Sequence, residues 1–198
     1  MEFTKHKYVS KYRLGGGIRS KICIVAHPDD EVIFLGGELY SSPESWHVVC
    51  ATNGTDKERK AEFEKTMTEL GCTYEIWPLW DEWKVPLDEK KLTLLLEQVF
   101  QIPWEIVATH DPDGGIGYGH PHHAQVNRCV KEVLKDTSKL YCFSPDEYLP
   151  SDLIRAKVRL LNNYKSQIVK YGTIISPLLE EYFFKEGLKK YEGYFNRD

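Results

Sequence analysis

Short apolar runs alternate along the chain with longer stretches in which apolar residues recur every three to four positions. That alternation is the pattern of βαβ units around a mainly parallel sheet. Five runs read as strands: residues 21–26 (KICIVA), 47–52, 74–79, 105–109 and 140–143. Four helices fit between or after them. Residues 57–70 place Phe63, Met67 and Leu70 on one face, with Thr55 or Asp56 as N-cap and Gly71 as the stop. Residues 88–101 align Leu92, Leu95, Leu96 and Val99, and residues 121–135 align Val126, Val130 and Val133. Residues 152–171 align Ile154, Val158, Leu161 and Ile168 behind Ser151 as cap.

No repeat, low-complexity tract or flexible linker divides the chain, so one domain over residues 1–198 is expected. Residues 1–20 form an entry segment. Gly15, Gly16 and Gly17 lie before the first strand, whereas a dinucleotide fingerprint needs its glycines after it. Residues 172–198 form a tail whose stretch rich in Tyr, Phe and Lys is expected to pack over an edge of the sheet.

Composition narrows the function classes. A chain of 198 residues can bury a core without a staple, so any metal it binds is expected to be chemical rather than structural. A net charge of −4 without a basic block argues against nucleic acid as partner. Five cysteines, without a CxxC pair, read as buried thiols in a reducing, cytoplasmic compartment. No apolar run approaches the roughly 18 residues that a transmembrane anchor needs.

Chemistry concentrates in two places. The first strand ends in Ala26-His27-Pro28-Asp29-Asp30-Glu31, and ligands bind at the carboxyl ends of strands in open α/β sheets. Ionisable groups so crowded need a compensating cation, although an acidic first helical turn would also account for them. His27 and Asp30 are three apart, so a turn opening a helix at Pro28 can put both on one side. The fourth strand runs into a glycine-rich loop and then His120-Pro121-His122-His123, with Pro121 at the first helical position, His120 near the N-cap and His123 in the first turn. His27, Asp30 and His123 would make a two-histidine, one-carboxylate set with an open position, the arrangement of catalytic zinc.

AHPDDE at 26–31 with Gly36-Gly37, and GYGHPHH at 117–123, resemble the metal-dependent N-acetylglucosaminyl deacetylases called PIG-L or LmbE-like. Thr52-Asn53-Gly54, Arg59-x-x-Glu62 with Leu70-Gly71, and Tyr164-x-Ser166-Gln167 extend the resemblance over a little more than a third of the chain. Joined to the strand and helix pattern, it implies a three-layer, Rossmann-like α/β fold with a mainly parallel sheet flanked by helices. It implies zinc, or another divalent ion, on His27, Asp30 and His123. Asp29 matches the family's general base, and His120 the histidine that assists the oxyanion or the leaving amine. Arg59, Asn53 and, within the metal loop, Tyr118 are weaker candidates for substrate binding; Arg59 could equally pair with Glu62 on a solvated helix.

Two positions depart from the family pattern. Phe34 stands where small residues are common, and His122 where Asp is frequent; His122 could compete as a ligand, but adjacent helical residues do not share a face, and His123 is kept as the ligand. The implied reaction is hydrolysis of an N-acetyl group from a small N-acetylglucosamine-type sugar or conjugate, by a monomer or a homo-oligomer. A non-catalytic sugar- or metal-binding module, or an amidase on another N-acyl substrate, stays open at this point. Trp77, Trp80 and Trp83, after the third strand, could either stack on a pyranose or cover the sheet edge.

Overall fold

The computed structural model describes residues 19–115, 119–167 and 184–191. Parallel strands β1 (Lys21–Val25), β2 (Trp46–Thr52), β3 (Thr73–Leu79), β4 (Ile106–Thr109) and β5 (Leu140–Tyr148) are joined by antiparallel β6 (Lys185–Lys190) in the order β3-β2-β1-β4-β5-β6. Helices α1 (Asp30–Ser41), α2 (Lys57–Leu70), α3 (Glu89–Val99), α4 (Pro121–Val133) and α5 (Ser151–Leu161) cover both faces. The fold is the expected three-layer α/β sandwich with a mostly parallel sheet.

The period of two along β1 divides the core. Ile22 and Ile24 pack on one face with Leu92, Leu96, Val126 and Val130 of α3 and α4. Cys23 and Val25 pack on the other face with Phe34, Leu39, Phe63, Met67 and Leu160 of α1, α2 and α5. Because helices lie on both faces, the central strands are apolar throughout rather than alternating with polar residues. All five cysteines are buried free thiols. Among the described residues, no helix is long and apolar enough to cross a membrane.

Helix α2 has the predicted bounds, with the Asp56 carboxylate accepting from the backbone N–H of Glu58 and Arg59 and with Gly71 left-handed at its end. Other elements differ from the sequence reading. Ser151 is the first residue of α5 behind Pro150, which takes the cap position and has no side-chain capping bond to give, and a turn at Asn162 and Asn163 ends that helix well before the expected boundary. Ile168 lies outside the described residues. Part of the expected covering tail is strand β6, which pairs with β5 on both sides of the bulge between Phe143 and Glu147. Helix α1 continues through Gly36 and Gly37 to Ser41 after non-helical dihedrals at Leu35.

The interruption in α1 leaves backbone donors that the tail strand satisfies. The Glu186 carboxylate accepts from Gly37 N and Glu38 N and from the Lys157 ammonium at 2.5 Å. Both partners are buried, so burial pushes Lys157 down and Glu186 up while each stabilises the other's charge. Breaking a buried pair from one side leaves an uncompensated charge, typically costing about 3–5 kcal/mol. Glu186→Ala should lose about that much in chemical denaturation, whereas Lys157→Met with Glu186→Gln should recover much of it. An equal loss in the double variant would refute the unpaired ammonium as the cause.

Candidate metal centre and active site

The strand order reverses between β1 and β4, since β2 and β3 continue to one side and β5 to the other. This is the switch point, where the loops after neighbouring strands diverge and leave a crevice. The β1 loop enters it through Asp29, whose φ of 112° is rare outside glycine. Three contacts hold that conformation. Glu31 accepts from Asp29 N at 3.2 Å, Arg59 donates to Pro28 O at 2.6 Å, and Tyr164 Oη contacts the buried Glu31 carboxyl. Helix α1 then starts at Asp30, whose Oδ2 accepts from His27 N at 2.8 Å.

From the other side comes α4, with His120 as N-cap and Pro121 at the first position, as the sequence predicts. His120 Nδ1 accepts from His122 N at 3.2 Å. The loop before it turns at Gly114, where φ is 85° and a Cβ would lie 2.5 Å from His120 O. Gly114 O accepts from His123 Nδ1 at 3.1 Å, which leaves the His123 Nε2 lone pair facing the β1 loop.

These two loops bring His27, Asp30 and His123 together. His27 Nδ1 is 3.2 Å from His123 Nε2 and 3.3 Å from Asp30 Oδ2, and His123 Nε2 is 3.2 Å from Asp30 Oδ2. Three corners of a tetrahedron with metal bonds of about 2.0–2.1 Å are about 3.3–3.4 Å apart, so this donor set fits a small divalent ion. Asp30, His110 and His123 also converge. However, His110 Nε2 accepts from Ala26 N at 3.0 Å, so its lone pair is engaged by the end of β1. His110 instead stacks on His123 with centroids 3.8 Å apart. Phe34, stacked on Phe143, walls this pair from below with its edge contacts to both imidazoles.

His122 does not join the triangle of His123 but contacts His27 from its other side. It is buried, with Nδ1 3.0 Å from His27 Nε2, because His27 enters from β1 between the adjacent side chains of α4. Asp81, beyond the end of β3, was missed: its Oδ1 is 3.5 Å from both His27 Nε2 and His122 Nδ1. A carboxylate just past a strand end was the available signal. Asn53 donates to Asp81 at 3.0 Å, and Arg59 lies 3.4 Å from Asp81 and 3.7 Å from Asp29. Arg59 thus faces the site, while Glu62 accepts from Ser166. Tyr118 lies outside the described residues. The tryptophans divide: Trp77 is core, Trp80 is exposed, and the half-exposed Trp83 sits edge-on to His120 at 4.8 Å.

The profile of the GlcNAc-PI de-N-acetylases, PIG-L, matches residues 22–134, more than half the chain and both site loops. The chain belongs to the PIG-L family. An uncharacterized protein of Acanthamoeba polyphaga mimivirus is 30% identical over 168 residues, covering 74% of this PIG-L chain and 71% of the viral one. The fold is also that of an N,N'-diacetylchitobiose deacetylase from Pyrococcus horikoshii (18% identity, TM-score 0.66, 89% of this chain and 85% of that one). A deacetylase of the teicoplanin biosynthetic pathway shares it too (11% identity, TM-score 0.64, covering 85% and 95%).

Electrostatics separates the two adjacent aspartates of the PIG-L motif. Burial pushes Asp29 up to about 7 against the opposing pull of Arg59. Asp30 is buried as deeply, yet His123, His110 and His27 hold it well below the carboxylate range. Burial would lower His27, but Asp30 and Asp81 outweigh it and raise the imidazole to about 10. Burial and the neighbouring His27 and His123 lower His120 to about 2, keeping it neutral. Contacts from His122, His27 and Asn53 outweigh burial and hold Asp81 well below its usual range.

Glu31 yields a stability test. Burial raises it from 4.5 to about 8, so between those values the unfolded chain ionises while the folded chain keeps its proton. Stability therefore falls with rising pH across this window, by at most about 1.4 kcal/mol per pH unit from this group. Glu31→Gln removes that slope. In metal-stripped protein the variant should gain on the parent steadily from pH 5 to pH 8, and parallel denaturation curves of stability against pH would refute the assignment.

Proposed function

We propose that the protein is a divalent metal-dependent hydrolase, with zinc as the suited ion, that removes the N-acetyl group from an N-acetylglucosamine-type sugar or conjugate. The observation that carries this reading is the triangle of His27 Nδ1, Asp30 Oδ2 and His123 Nε2 at 3.2–3.3 Å, in a member of the PIG-L family. The deacetylases that share the fold support the reaction class and a small sugar substrate. When bound by this set, a divalent ion supplies Lewis-acid polarisation and lowers the pKa of water toward about 7.

The remaining steps belong to side chains. Asp29, half-ionised near pH 7 and held by Arg59 beside the triangle, takes a proton from the attacking water. His120 accepts from His122 N at Nδ1, so as a neutral imidazole it carries its proton on Nε2 and donates to the oxyanion. An imidazole kept neutral to about pH 2 is a poor source of a full proton, which leaves protonated Asp29 to return it to the departing amine nitrogen. The C–N bond breaks, and acetate and the amino sugar leave. Arg59, Asn53 and Asp81 line the approach and would orient sugar hydroxyls.

Acetate release from N-acetylglucosamine conjugates with added zinc tests the activity. Asp29→Asn, which tolerates the positive φ better than alanine, should lower kcat by at least about 100-fold while zinc content survives. His123→Ala should lose both. The reverse pattern would sink the two roles.

The pH profile should rise with pH as Asp29 ionises, with its acid limb at or below about 7 because a bound cation favours the carboxylate. An acid limb well above that value would contradict Asp29 as the base.

A further inference from the structure

His27 stands between two donor triangles. Its Nδ1 faces Asp30 and His123, and its Nε2 faces His122 and Asp81. A neutral imidazole has one lone pair and one N–H, so it can serve as a ligand on one side only. The backbone carbonyl of Val85, outside both triangles but bonded to His122, fixes what His27 Nε2 meets on the second side.

His122 Nε2 lies 2.7 Å from Val85 O, which can only accept, so His122 carries a proton on Nε2. Its Nδ1 is then either a lone pair or, in an imidazolium, a second N–H. His27 ligating through Nδ1 must keep its own proton on Nε2, 3.0 Å from that same His122 atom. Two N–H groups cannot meet at this distance, so His122 Nδ1 is the acceptor. Protons thus run in one direction, from His27 Nε2 to His122 Nδ1 and from His122 Nε2 to Val85 O.

We infer that His122 is a positioning residue for the metal ligand His27: it accepts the Nε2 proton of His27, fixes the tautomer that aims Nδ1 at the metal, and takes its own orientation from Val85 O. This rests on the reading of His27 as a ligand. A consequence is that the second triangle, His27–Asp81–His122, is filled by a proton and holds no second ion. Outer contacts of this kind typically change metal affinity by about 10–100-fold when removed.

The test uses the full chain and zinc alone. In zinc-loaded protein, nitrogen NMR of labelled histidines should show His27 metal-bound at Nδ1 and protonated at Nε2. Metal-free protein should show a coupling across the hydrogen bond between His27 Nε2 and His122 Nδ1. Metal analysis should find one zinc per chain. Competition with a chromophoric chelator should find His122→Phe, which keeps the ring shape without an acceptor, weaker for zinc by about 10–100-fold. His122→Asn, whose carbonyl oxygen can replace Nδ1, should stay within a few-fold of the parent.

His27 protonated on Nδ1, two zinc ions per chain, no cross-bond coupling, or parental affinity in His122→Phe would each overturn the proposal. The two NMR measurements need no variant, so a phenylalanine variant that fails to fold does not shield it. Failure of the parent to bind zinc would instead overturn the metal reading of the preceding section.

Discussion

Three polar atoms lie within 3.3 Å of one another at the buried end of β1, and this crowding is the constraint around which the site is built. Buried charge is tolerated only when it is paired and hydrogen-bonded. Two members of the triangle therefore have backbone partners, Asp30 accepting from His27 N and His123 donating to Gly114 O, while the His27 ring is held by side chains and the chain end above is tied by Ala26 N to His110. Phe34 and Phe143 close the underside with apolar rings, which removes water and strengthens every interaction above.

A second constraint acts on the next residue. Asp29 and Asp30 are neighbours with the same side chain, yet one is poised to exchange a proton near neutrality and the other is permanently ionised. Environment does this, as it does wherever two carboxylates in one site take different roles. The positive φ at Asp29 is the structural means, because it turns the backbone between the two and sends Asp29 toward Arg59 while Asp30 stays with the imidazoles. Glu31 completes the turn from behind, bonded to Asp29 N and in contact with Tyr164.

Local pattern carried much of this architecture. Helix α2, capped by Asp56 and stopped by Gly71, and the apolar strands β1 and β2 depend on short-range chemistry and are legible in the residues themselves. So is the pairing of His27 with Asp30, which needs one turn of chain. What escaped depends on distant partners. Strand β6, KEGLKK, has one apolar residue, Leu188, and no apolar alternation, and it is held in place where Glu186 meets α1 and Lys157. The contact of His122 with His27 was not legible, because adjacency on a helix excludes a common face but not a third residue inserted between the two. Asp81 was missed because its meaning lies in reaching His27 from a strand two places away in the sheet.

The two outer strands have a bearing on how this molecule meets others. An open sheet offers unpaired backbone groups at each edge, and such edges recruit further strands unless something blocks them. At one edge, β3 carries the exposed Pro78, which has no N–H to offer. At the other, β6 carries Lys185, Lys189 and Lys190. The same tail strand that stabilises α1 is thereby the outermost strand among the described residues, and its lysine side chains oppose the pairing of a further strand at this edge.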